Sequence, residues 1–127
     1  MAEKHTSPSP TTYKMGELFC GPGGIALGAH NAADKVPGIK VEHAWANDYD
    51  PTTADTYREN IPGASGETVY VGDVRELDTD ALPPIGGFAF GFPCNDFSLV
   101  GKKKGLDGTY GPLFTYGIKV LESHKPE

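Results

Sequence analysis

Apolar and polar positions along the chain fall into short blocks, strand-like and helix-like in alternation, separated by glycine, proline, asparagine and aspartate. Residues 14–20 predict a first strand, which gives way to Gly21-Pro22-Gly23-Gly24 and then to a helical stretch over 25–31. A second strand, 41–46, runs into Asn47-Asp48-Tyr49-Asp50. Asp50 and Pro51 have the chemistry of a helix cap and first helical residue, so a helix is predicted over 52–59, stopping near Asn60 ahead of Pro62-Gly63. A third strand, 68–71, ends in Gly72-Asp73-Val74. Residues 75–84, with Leu82-Pro83-Pro84, predict a connection holding at most one helical turn. Residues 85–90 are nearly all apolar, as a fourth strand covered on both faces would be. Apolar residues at 113, 114, 117, 118, 120 and 121 predict an amphipathic helix lying on the sheet. Alternation of this kind predicts an α/β fold with a mostly parallel sheet and flanking helices. Residues 1–12, rich in Ser, Thr and Pro and without apolar periodicity, predict a disordered tail, leaving 13–127 as the ordered part.

Composition narrows the reading. A chain of 127 residues is one domain's worth or less. With 11 basic against 17 acidic residues and a formal net charge of -6, nothing global marks a nucleic-acid binder, so an anionic partner must meet a local patch. No apolar run approaches the roughly 20 residues of a membrane span, and the N-terminus lacks the apolar core of a secretory signal, so a cytoplasmic location is expected. Cys20 and Cys94 are expected to be free thiols, and they do not make a zinc site without paired histidines. His5, His30, His43 and His124 are scattered and read as surface or packing residues, and no metal is expected.

The candidate chemistry lies where strands end. A strand, a glycine turn and a helix open a nucleotide-type βαβ unit, in which the helix N-terminus offers N–H groups to an anion, here a carboxylate. Asp48, just past the second strand, is placed to hold the two hydroxyls of a ribose, and Asp50 to cap the helix. Asp73 follows the third strand and could accept from the exocyclic amine of an adenine; its structural alternative is a cap before Arg75. Phe19 and Tyr49 would form aromatic walls. A Gly-Phe-Pro turn after the fourth strand holds Cys94 where a nucleophile would stand, and the glycine-punctuated loop beyond it, with Lys102, Lys103 and Lys104, has the composition of a mobile lid that meets phosphates. The absence of a longer phosphate-cradling motif with Lys and Ser or Thr argues against a nucleoside triphosphate.

Two of these stretches carry a resemblance. Glu17-Leu18-Phe19-Cys20-Gly21-Pro22-Gly23-Gly24 resembles the first motif of the cytosine-5 DNA methyltransferases, and Gly91-Phe92-Pro93-Cys94-Asn95-Asp96-Phe97-Ser98 resembles their Pro-Cys motif. Asn47-Asp48-Tyr49-Asp50 and Gly72-Asp73-Val74 match in order and spacing, so the likeness covers nearly all of residues 14–127. Asn95 stands where the family usually has glutamine, and Asp48 where it usually has a longer acid. The resemblance implies a partial Rossmann-like fold, S-adenosylmethionine as methyl donor and cytosine in duplex DNA, flipped out of the helix, as acceptor. It implies a cofactor pocket lined by Phe19, Cys20, Gly21, Gly23, Gly24, Asn47, Asp48, Tyr49, Asp73, Val74, Pro93 and Leu113. Cys94 would be the nucleophile, with Asn95, Ser98, Lys102, Lys103 and Lys104 on the substrate. In the family a strand bearing Glu-Asn-Val, an arginine motif, a target-recognition region and a closing helix follow. This chain is therefore expected to be a fragment or one subunit, inactive alone, that pairs with a complementary chain or self-associates through its sheet edge. The alternatives are a non-catalytic S-adenosylmethionine-binding module and, less favoured, a dinucleotide-binding oxidoreductase fragment. A setting in restriction-modification is one possible role.

Overall fold

The computed structural model describes residues 9–92 and 113–127. Four strands, β1 (Thr11–Leu18), β2 (Ile39–Asp48), β3 (Val69–Val71) and β4 (Gly87–Phe90), form one sheet in the order β3-β2-β1-β4, and every pairing is parallel. The helices are α1 (Gly24–Asp34), α2 (Pro51–Asn60) and α3 (Phe114–His124). Parallel neighbours need crossovers, which α1 supplies between β1 and β2 and α2 between β2 and β3. After β3 the chain returns across the sheet through two 3₁₀ turns, 74–76 and 79–81, to place β4 on the far side of β1. The order reverses at β1, and in open α/β sheets that reversal opens a crevice at the carboxyl ends of the strands.

The element types agree with the sequence-based expectation, while several boundaries move for identifiable reasons. β1 begins at Thr11, inside the stretch expected to be a disordered tail, because Thr11 and Thr12 pair with Ile39 and Lys40; residues 1–8 of that tail lie outside the described residues. Strand length is a property of the pair, so β2 also starts two residues ahead of Val41. α1 runs on to Asp34 because Ala32 and Ala33 favour helix and Pro37 is the first breaker. α2 begins at Pro51 and is capped by Asp50, whose carboxylate accepts from the Thr53 N–H at 3.2 Å, as Asp50-Pro51 implied. β4 is shorter than 85–90 and half-buried throughout: among the described strands it is an edge, so the expected cover on both faces is lacking. The connection before it carries two short turns rather than one, each started by an aspartate, Asp73 or Asp78.

The sheet separates two cores. On one face Leu18, Trp45, Val74, Leu82, Ile85, Leu113 and Val120 pack together. On the other are Cys20, Ala26, Ala46, Ala54, Tyr57, Ile61 and Val69, under α1 and α2. Adjacent residues Trp45 and Ala46 thus point to opposite faces, as side chains on a strand must. Trp45 is fully buried, its ring lies where a side chain on Gly16 would sit, and its indole N–H donates to the Pro83 carbonyl at 3.0 Å. α3 meets β4 equally closely, since a Cβ on Gly117 would fall 2.4 Å from the Phe90 ring. α3 buries Gly117 and Val120 but leaves Ile118 and Leu121 exposed, so only part of its predicted apolar stripe lies on the sheet.

Candidate functional site

The glycine turn is built by backbone that side chains rarely tolerate. Phe19, Gly21 and Gly23 have φ of 55°, 58° and 105°, alternating with residues of negative φ. A left-handed Phe costs of order 1 kcal/mol or more and persists only where its surroundings impose it; here they do so by clamping the turn to the end of β2. The Cys20 N–H donates to the Asn47 carbonyl at 3.1 Å, and the Gly21 N–H to Asp48 Oδ2 at 2.8 Å. Gly23 is also required sterically, because a Cβ there would lie 2.9 Å from Ile61 and 3.2 Å from Tyr57. Among the described residues nothing lies within 4 Å of where a Cβ on Gly24 would stand. α1 starts directly from this turn with Gly23 at its cap and, among the described residues, no side chain capping it. Its first-turn N–H groups are therefore available to an outside acceptor.

Asp48 stands opposite. Its Oδ2 holds Gly21 and its Oδ1 accepts from the Asp50 N–H at 2.9 Å, leaving one lone pair on each oxygen. Tyr49 beside it is 75% exposed, an unusual position for so large a ring. Asn47 is buried, and its Nδ2 donates to the Tyr70 carbonyl at 2.8 Å and the Gly72 carbonyl at 3.1 Å. It fixes the chain entering Asp73. The Asp73 carboxylate accepts from the Arg75 N–H at 2.9 Å and from the guanidinium at 2.6–3.1 Å, contacts that hold its carboxyl below the usual range.

The structure thus brings the turn at 21–24, Asp48, Tyr49 and Asp73 to one edge of the sheet, as the strand ends implied. Cys20, Asn47, Val74 and Leu113 differ from the other expected pocket residues, because their side chains are buried in the two cores or turned to β3; their remaining route to a ligand is through backbone. Phe19 is half-buried against the α3-side core. Burial, with the Asp48 and Glu17 charges, pushes the Cys20 thiol up to about 12, so it stays protonated. Pro93, Cys94, Asn95, Ser98, Lys102, Lys103 and Lys104 lie outside the described residues. The last described residue before them, Phe92, packs on Phe114 with ring centroids 5.8 Å apart. His43 and His124 are packing residues, bonded to Thr68 Oγ1 at 2.9 Å and to the Thr79 carbonyl at 2.7 Å. Among the described residues no group of three or more His, Cys, Asp or Glu could hold a metal, and no helix is long and apolar enough to cross a membrane.

One residue was missed. Glu17 is 2% exposed on the α1/α2 side of β1, and its Oε1 has no hydrogen-bond partner among the described residues. Burial first, and the Asp48 charge second, push its carboxyl up to about 7. The sequence does not single it out; it is out of place only because β1 has strands on both sides and helices over this face.

A doubly wound parallel sheet, a glycine turn feeding an uncapped helix and carboxylates at successive strand ends define a partial Rossmann-like domain of the methyltransferase type. Residues 13–127 match the C-5 cytosine-specific DNA methylase family, and the chain belongs to it. It is 49% identical over 122 residues to the type II methyltransferase M.BbvI of Brevibacillus brevis, an alignment covering 90% of this chain and 33% of that protein. It is 36% identical to M.NlaX of Neisseria lactamica (91% and 34% covered) and 35% identical to M.NgoPII of Neisseria gonorrhoeae (94% and 33% covered). The chain spans about a third of the length of the curated relatives it matches.

Proposed function

We propose that this chain is the donor-binding and nucleophile-bearing part of a DNA (cytosine-5-)-methyltransferase, and that S-adenosylmethionine binds at the carboxyl edge of the sheet. The observation that carries the reading is the start of α1, uncapped among the described residues, beside Asp48 within a chain of the C-5 cytosine methylase family. The residues fit the donor. First-turn N–H groups of α1 receive its carboxylate, and Gly24 admits it without a Cβ in the way. The two remaining lone pairs of Asp48 accept from the ribose hydroxyls, and the exposed Tyr49 ring stacks on the adenine. Asp73 accepts from the adenine amine once Arg75, itself largely exposed, swings aside. When bound, the donor supplies an electrophilic methyl group.

Cys94 is the proposed nucleophile. Its thiolate adds to carbon 6 of a flipped cytosine and makes carbon 5 electron-rich. The lysines at 102–104 lower the cost of the thiolate and meet DNA phosphates, with Asn95 and Ser98 on the base. The protonating acid and the sequence-reading surface come from the Glu-Asn-Val part of the family's fold, which meets the β4 edge whether a complementary chain or the same polypeptide carries it; pairing of two copies through that edge is the alternative. DNA is then the substrate and the cytoplasm, or the nucleoid within it, the place of action, with restriction-modification the setting that the relatives' names support. The test is reconstitution of this chain with the complementary part. We expect methyl transfer that is lost in Cys94→Ser while calorimetric binding of S-adenosylmethionine stays within about twofold. Full transfer by the Ser variant overturns the nucleophile, and absence of any donor binding overturns the site.

A further inference from the structure

We propose that Tyr57 is a positioning residue for the donor: its ring seats the glycine turn, and a hydrogen-bond relay through His43 and Thr68 to the backbone at Ser65 fixes the ring. The inference rests on the donor site proposed above and adds to it two residues, Tyr57 and His43, that reach no ligand atom.

Tyr57 is 1% exposed in the last half of α2. A Cβ on Gly23 would lie 3.2 Å from its Cδ2, so the backbone at the cap of α1 rests against the ring. A shift of that ring is therefore passed to the first-turn N–H groups that meet the donor's carboxylate, and small misplacements of such groups weaken binding. Ile61, four residues on, meets the same glycine but has no polar atom to fix its orientation.

The far end of the tyrosine supplies the restraint. Its hydroxyl lies 3.3 Å from His43 Nδ1, and His43 Nε2 lies 2.9 Å from Thr68 Oγ1. Thr68 Oγ1 in turn donates to the Ser65 carbonyl at 3.4 Å and accepts from the Ser65 N–H at 2.9 Å. A threonine hydroxyl has one proton and two lone pairs. With the proton on the Ser65 carbonyl, Thr68 can only accept from His43. Nε2 is then the protonated nitrogen, and Nδ1 is left to accept from the Tyr57 O–H. The charge states agree with these directions. Burial, and then His30, holds His43 below its ordinary basicity, while burial, and then Glu17 and Cys20, holds the Tyr57 phenol above its ordinary value. The two rings also pack, with centroids 5.6 Å apart and planes tilted by 56°. The relay thus ties α2, β2 and the turn ahead of β3 to one spot beside Gly23.

The experiment is calorimetry on the full chain with S-adenosylmethionine and with 5′-methylthioadenosine, which shares the nucleoside but has no carboxylate to place on the turn. Tyr57→Phe keeps the ring and removes only the hydroxyl. We expect it to bind S-adenosylmethionine about fivefold more weakly, the worth of one ordinary hydrogen bond, and methylthioadenosine within about twofold of wild type. His43→Leu should give the same pattern, and the two changes together should cost no more than either alone. His43→Asn, which puts an amide oxygen where Nδ1 stood, should recover most of the affinity. Urea unfolding confirms that each variant is folded, and Tyr57→Phe with His43→Asn decides the matter if His43→Leu does not fold. Unchanged S-adenosylmethionine affinity in Tyr57→Phe, equal weakening of both ligands, additive losses in the double variant, or no recovery in His43→Asn overturns the inference and leaves the donor site standing. If the wild type binds neither ligand, the donor site fails and the inference with it.

Discussion

On the α3 side of the sheet the buried residues are large and apolar: Leu18 and Trp45 from the strands, and Leu113 and Val120 from α3 or its cap. Aromatic rings continue along that side, from Trp45 to Phe88 at 6.1 Å, Phe88 to Phe90 at 5.2 Å and Phe90 to Phe92 at 6.3 Å. On the opposite side the core is mostly small, alanines 26, 46 and 54 with Cys20 beside Ile61 and Val69, and among them lie Glu17 and Tyr57, whose hydroxyl contacts His43. Small side chains let α1 and α2 approach the sheet, which lowers the glycine turn onto the ends of β1 and β2. The same approach removes water from an acid. One face is thus built for cohesion, while the other gives up cohesion to place polar groups under a ligand site, the usual bargain at functional positions.

This contrast can be broken by experiment. The largest effect is expected from Trp45→Ala, which empties the centre of the α3-side core and should cost about 4 kcal/mol in urea unfolding. A loss below ~1 kcal/mol would mean that face is not where stability resides. Glu17→Gln should act in the opposite direction. Because the folded carboxyl titrates at about 7 against an ordinary 4.5, the protonated form stabilises the fold below about pH 4.5, and that contribution disappears as pH rises through 7. The variant should therefore match the wild type at pH 4 and exceed it by about 3 kcal/mol at pH 8.5. Parallel stability curves would show that Glu17 is not a strained acid.

Smaller effects sharpen the picture at the edge. Asp48→Asn keeps shape but loses an acceptor that either Gly21 or the ribose needs; S-adenosylmethionine should bind about tenfold more weakly, or ~1.4 kcal/mol. Asp48→Ala would be harder to interpret, since it also releases the turn from β2. Unchanged calorimetric affinity in the Asn variant would remove Asp48 from the donor site. The smallest change is expected in Arg75→Ala. Freeing Asp73 from its exposed guanidinium should raise donor affinity two- to threefold, because exposed ion pairs are largely screened by solvent. Weaker binding instead would assign Arg75 a positive part in holding the ligand.

The chain itself determined everything that depends on near neighbours. The strand, glycine turn and helix at 14–31, the Asp50-Pro51 start of α2 and the aspartates at strand ends could all be read directly, because caps, turns and periodicity act over three or four residues. Tertiary structure alone decided the rest. The order β3-β2-β1-β4 made β4 a half-exposed edge although its sequence reads as a covered strand. Asp48 became a clamp as well as a candidate ligand through a hydrogen bond spanning 27 residues, and Asn47 was drawn into holding Gly72 across 25. Glu17 looked like an ordinary charged residue until α2 and the turn covered it. Desolvation is set by what packs from elsewhere in the chain, so no local pattern could report it.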